Sequence, residues 1–212
     1  MAALDLQEQE QVEGIKAWWK ENGTFITILV LGLLLTIGGW RGWQYYQGKQ
    51  AAEAATLYQQ FTEQLASGDA KRVNDAASAL TDRYPGSLYA AKAALTAAEV
   101  NEEKQALPQA KTQLTWVVEH SKEPALKDVA RLRLAALLLD EKKYAESLQL
   151  LAAEHPASFD ALYADLKGDV LVAQGKMEEA RAAYKLAFDK LGDKSNYRNI
   201  LEMKLDALGG AK

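Results

Sequence analysis

The sequence predicts an all-α protein: a single transmembrane helix followed by a stacked array of helix pairs. Three observations carry that prediction. Residues 23–40 form an 18-residue run without a charge. Beyond Gln47 the chain is rich in Ala and Leu, with apolar residues at helical spacing and no segment that reads as a strand. Gly- and Pro-centred breaks then divide it into lengths suited to short paired helices.

The first 22 residues form a net acidic leader, with Asp5, Glu8, Glu10, Glu13 and Glu21 set against Lys16 and Lys20. From Leu4 to Lys20 it can form an amphipathic helix with Val12, Ile15 and Trp19 on one side. Its acidic residues disfavour anionic lipid, so protein contact is at least as good a reading as lipid contact.

The span follows over 23–46, since about 20 apolar residues cross the hydrocarbon of a bilayer. Trp18 and Trp19 precede it, and Trp40, Trp43, Tyr45 and Tyr46 follow it. Amphipathic rings at both ends match residues at headgroup depth and argue against a buried core helix. A cleaved signal needs a short basic leader and small residues after the apolar core; Trp40, Arg41 and Trp43 stand there instead, so the segment reads as an uncleaved anchor. Lys16 and Lys20 on one side balance Arg41 and Lys49 on the other, so the basic count leaves orientation open. Within the span Gly32, Thr36 and Gly39 share one helical face. They are candidate contacts for another membrane helix, because small side chains permit close packing.

Residues 47–212 read as helices near 48–66, 70–84, 88–104, 107–121, 125–141, 143–154, 158–174, 177–191 and 195–208, the first of which can continue from the span. The breaks are Ser67-Gly68-Asp69, Pro85-Gly86-Ser87, Pro124, His155-Pro156, Gly175 and Gly192-Asp193. The best internal unit runs Leu166-Lys167-Gly168-Asp169-Val170-Leu171, Gln174-Gly175-Lys176-Met177-Glu178-Glu179-Ala180-Arg181, then Tyr184 and Ala187. It resembles the tetratricopeptide pattern: a small residue in helix A, glycine at the turn, then Ala, aromatic and Ala on helix B. Gly168 and Ala180 would let the pair approach closely, and Tyr184 would fill the gap between repeats. Aligning Ala76, Ala110, Ser147 and Ala180 gives intervals of 34, 37 and 33 residues, near the 34-residue period. The expectation is a tetratricopeptide-like α-solenoid of about four helix pairs plus a C-terminal capping helix. In that capping helix, Ile200, Leu201, Leu205 and Leu208 share a face.

Such stacks present an extended surface suited to peptides and partner segments. In the tetratricopeptide pattern helix A lines it, which nominates Val129, Leu132, Ala136 and Leu139, then Leu162, Asp165, Asp169 and Val172. Packing against neighbouring helices is an equally good reading of several of these.

Composition excludes other classes. From residue 47 onward 22 basic residues face 24 acidic ones, a net of −2, which is not the basic face that nucleic acid demands. There is no cysteine, hence no disulfide or thiolate site. His120 and His155 each lie near a helix end before a proline and read as caps or exposed groups. No metal-ligand spacing, phosphate-cradling loop or nucleophile elbow is present, so neither a cofactor nor an enzyme is expected.

The stretches Gln11-Val12-Glu13-Gly14-Ile15-Lys16, Glu21-Asn22-Gly23, Gly39-Trp40-Arg41-Gly42-Trp43 and Leu166 to Ala187 together resemble the YfgM family of bacterial inner-membrane proteins, ancillary subunits of the SecYEG translocon. The resemblance implies a cytoplasmic amino terminus, one inner-membrane span and a periplasmic repeat domain. It also implies partnership with SecYEG and with a membrane-anchored, prolyl-isomerase-like periplasmic chaperone, the array receiving unfolded secretory polypeptides. A structural scaffold for envelope or division complexes, and a membrane-tethered cytoplasmic regulator, are the competing readings.

Overall fold

Five residues with left-handed backbone punctuate the chain: Gly68 (φ 70°), Gln105 (59°), Lys142 (61°), Gly175 (78°) and Gly209 (101°). Each follows a helix, and the first four reverse the chain, as a left-handed residue does at a helix C-terminus. In the computed structural model, which describes residues 6–192 and 195–209, they fall 37, 37, 33 and 34 residues apart. Leu4, Asp5 and Asp193, which the sequence assigned to the leader helix and to a turn, lie outside the described residues.

The helices are α1 (Leu6–Ala66), α2 (Ala70–Arg83), α3 (Leu88–Glu103), α4 (Leu107–His120), α5 (Pro124–Asp140), α6 (Tyr144–Leu151), α7 (Asp160–Ala173), α8 (Met177–Lys190) and α9 (Arg198–Ala207). Two compact units divide at residues 52 and 53. In the first, α1 carries the one stretch among the described residues long and apolar enough to cross a membrane. Two of its threonines bond within the helix: Thr27 Oγ1 donates to the Gly23 carbonyl at 2.7 Å and Thr36 Oγ1 to the Gly32 carbonyl at 2.8 Å. Such internal bonding is what an apolar surrounding requires.

In the second unit, residues 53–66 of α1 pair with α2, α3 with α4, α5 with α6 and α7 with α8, and each later pair stacks on the one before. The helix α9 stands as the first helix of a further pair, packed on α7 and α8. This is the array of four pairs and a cap that the punctuation predicts.

The turns between partners are built alike. Gln105 N–H donates to the Glu102 carbonyl and Ala106 N–H to Asn101; Lys142 and Lys143 repeat the pattern onto Leu139 and Leu138; Gly175 and Lys176 repeat it onto Val172 and Leu171. These are Schellman closures, which pair carbonyls the helix end would leave open. At the first turn Gly68 N–H bonds the Leu65 carbonyl, while the Asp69 side chain caps α2 through the N–H groups of Lys71 and Arg72.

The turns also correct the repeat register. The fourth residue of each B helix donates its N–H to the residue just before that helix: Val73 to Asp69, Ala110 to Ala106, Ser147 to Lys143 and Ala180 to Lys176. All four are fully buried. Val73, not Ala76, therefore holds the first small-residue position, and the intervals are 37, 37 and 33. A search for alanine missed it because a β-branched residue fills the site.

Cores form between successive pairs. Ala54 and Phe61 meet Val73, Ala77 and Leu80 of α2 and the alanines of α3. Leu114 and Val117 of α4 meet Leu134, Leu137 and Leu138 of α5. The helix α6 ends at Leu151, three residues earlier than its spacing predicts, and a short 3-10 turn at Ala157–Phe159 leads into α7. Pro156 bars α6 from running on into α7, since proline cannot donate and drives the preceding residue out of helical conformation.

Gly168 behaves as its position in the unit predicts, with one correction. A Cβ there would lie 2.3 Å from the Tyr184 ring. Tyr184 thus seats on its own pair's A helix, besides reaching the core shared with α9. Gly168→Ala is expected to destabilise the array by about 1–3 kcal/mol despite alanine's better helix propensity. Lys142→Gly, at an exposed left-handed position, is expected to stabilise it by about 0.5–1 kcal/mol. Chemical denaturation of the two variants should move the midpoint in opposite directions.

Candidate protein-binding surfaces

Two surfaces emerge, one in each unit. On α1, a Cβ placed at Gly32 or Gly39 meets nothing within 4 Å, and the Thr36 hydroxyl is turned onto Gly32's carbonyl. The three residues form an open small-residue face on a helix whose apolar side chains are otherwise exposed.

The second surface lies on the A helices. The turns at Lys142 and Gly175 set a 33-residue offset between α5 and α7, and the eight nominated residues fall into four matched pairs under it. Val129 and Leu162 are both exposed, at 36% and 42%. Leu132 packs among half-buried core residues, whereas its match Asp165 is buried. Ala136 and Asp169 are half-buried. Leu139 and Val172 pack into successive cores. Only the first pair presents large apolar side chains to solvent.

The two aspartates have intramolecular partners. Lys204 Nζ of α9 donates to Asp165 Oδ1 at 2.6 Å and to Asp169 Oδ1 at 2.7 Å. The Tyr197 hydroxyl donates to Asp165 Oδ2 at 2.6 Å and the Tyr184 hydroxyl to Asp169 Oδ1 at 2.7 Å. Burial, then the hydrogen bonds to the carboxylates, push both phenols well above the usual tyrosine value. Burial alone would lower Lys204, but the hydrogen bonds and charges of Asp165 and Asp169 outweigh it and raise the ammonium.

The same device recurs one pair earlier. Asp128, almost fully buried, accepts from Arg131 at 2.7 Å and from the Tyr163 hydroxyl at 2.8 Å. Burial, followed by the hydrogen bond to Asp128, pushes Tyr163 up to about 12. His155 stacks on the Tyr163 ring at 3.8 Å, while His120 stacks on Trp116 at 5.0 Å. Farther along the A-helix face Arg133 of α5 donates to the Leu95 carbonyl at 3.2 Å and to Glu102 at 3.0 Å, tying α5 to α3. Asn101, buried, exchanges hydrogen bonds with Asn74 and donates to Gln113, joining α2, α3 and α4.

Sequence reasoning missed Lys204 and Arg133. The signal for each was a cation about one repeat away from a pair of acids: Asp165 with Asp169, and Glu99 with Glu102. Among the described residues no group of three or more His, Cys, Asp or Glu could hold a metal ion.

Residues 16–210 match the tetratricopeptide repeat-like domain family. A protein of Neisseria gonorrhoeae named ancillary SecYEG translocon subunit is 34% identical over 210 residues, covering 97% of this chain and 99% of its own length. The chain belongs to the YfgM family. Proteins of the same name from Haemophilus influenzae and Escherichia coli are each 29% identical, over 87% and 84% of this chain and 90% and 85% of their own lengths. No solved structure gives a significant match. The family assignment covers the apolar helix and the repeat array together, so both candidate surfaces lie within it.

The α7–α9 cluster makes stability depend on alkaline pH. Tyr184, Tyr197 and Lys204 all hold their protons more tightly folded than unfolded, so the unfolded chain releases protons first as pH rises. Their contribution is therefore complete at neutral pH and declines from about pH 10 upward. Thermal melting across that range should show the fall, and Tyr197→Phe, with one of the titrating phenols gone, should make it shallower.

Proposed function

We propose that this YfgM-family chain is a single-pass adaptor of the Sec translocon without catalytic activity. Its amino terminus lies in the cytoplasm of a bacterium and its repeat array in the periplasm. The apolar helix docks on membrane helices of SecYEG or of a membrane-anchored, prolyl-isomerase-like chaperone. The array passes unfolded secretory polypeptides from one to the other.

The observation that carries this reading is end-to-end similarity to proteins named as translocon subunits, through the membrane segment as well as the array. A soluble repeat protein with an unrelated anchor would share only the array. The open face at Gly32, Thr36 and Gly39 supports a helix partner, because close packing of small residues is a main source of association where lipid is as apolar as leucine.

The test is site-specific photocrosslinking in native membranes from Gly32, Thr36 and Gly39, with Leu34 as the control on the opposite face. Capture of SecYEG or chaperone helices from the first three positions and not from Leu34 is expected. Capture of lipid alone from all four would overturn the reading.

A further inference from the structure

The array's A-helix face continues onto α9, and there its chemistry changes. The left-handed turns at Gly175 and Gly209 set a 34-residue offset between α7 and α9. Under it Leu166 corresponds to Ile200, and Asp169 to Met203. Lys204, one residue further on, points back at Asp165 and Asp169 of α7. Ile200 and Met203 are exposed at 43% and 69% and flank Lys204 on that side of the helix. With Leu162 they form a set of exposed apolar side chains on consecutive A helices, which lie about 8–10 Å apart when packed.

Two free aspartates on such a face would attract a basic ligand. In the fold they are spent. Asp165 is buried, and its two oxygens bond Lys204 and Tyr197; Asp169 bonds Lys204 and Tyr184. One net negative charge remains, but all four carboxylate oxygens already accept hydrogen bonds from Lys204, Tyr184 and Tyr197, so a further cation finds none open. The cost of stripping such a network also disfavours competition for it.

We infer that the α7–α9 end of the face binds an apolar, uncharged stretch of an extended partner polypeptide, with Leu162, Ile200 and Met203 as its contacts. This rests on the adaptor reading above and names the class of segment that the array takes. Methionine suits the task, since a flexible, polarisable side chain adapts to varied apolar partners.

The test uses the full-length chain in lipid nanodiscs and three dye-labelled test peptides of equal length: uncharged and apolar, lysine-rich, and aspartate-rich. Fluorescence anisotropy should show the uncharged peptide binding most tightly, with little change on adding salt. Ile200→Glu with Met203→Glu should weaken it about ten-fold or more while leaving helical content and melting unchanged, both side chains being exposed. Ile200→Ser with Met203→Ser should weaken it in the same direction without adding charge. Tightest binding of the lysine-rich peptide, or uncharged-peptide binding that neither double variant weakens, would overturn the inference and leave the adaptor reading standing. If no peptide binds at all, the inference falls, and with it the part of the adaptor reading in which the array handles unfolded chains.

Discussion

Every helix pair in the array hangs on one residue held in the left-handed backbone region just after its first helix. That residue reverses the chain, and at three of the four turns its own N–H and the next one close on the helix end, so the partner helix starts in a fixed direction. Glycine does this freely at positions 68 and 175. At 105 and 142 the chain uses Gln and Lys and accepts strain of about 1 kcal/mol each. The packing that follows repays it: once the reversal is made, the fourth residue of each B helix is buried. Where that residue is Ser147, its hydroxyl donates to the Ala135 carbonyl at 2.8 Å, so even the polar one is satisfied.

Between pairs the apolar contact is largely built from alanine, which lets helices approach but specifies little. Specificity comes from buried polar groups. Asn101 locks three helices, Arg133 ties neighbouring A helices, and Asp128, Asp165 and Asp169 each gather a tyrosine and a cation. A slipped register would leave a buried carboxylate without partners, which costs far more than a lost alanine contact. The polar groups that a sequence reader assigns to ligand binding are thus, in good part, what aligns the stack.

Much of the architecture was legible beforehand. Helix boundaries followed from Gly, Pro and the helical recurrence of Ala and Leu, and α2, α3, α4, α5, α7 and α8 begin or end within two residues of expectation. The apolar run between its aromatic ends announced the membrane segment. What escaped was partnership across long sequence separation. Asp165 and Asp169 could be read as groove lining or as packed against a neighbouring helix, because Lys204 lies 39 and 35 positions away and nothing local marks it as their partner. Ala76 looked like the repeat's small position because alanine is expected there, and only the hydrogen bond from Val73 to Asp69 reveals the true one.

Local chemistry alone therefore determined the helices, their breaks, their approximate period and the presence of a span, since propensity, turn geometry and hydropathy act over a few residues. Tertiary structure decided the exact register of the repeats, which side chains on the A-helix face remain exposed, and the pairing of the two aspartates that this face carries. Those depend on which helix comes to lie beside which. A charge in a folded chain is defined by the groups that surround it, and these are brought together only when the stack closes.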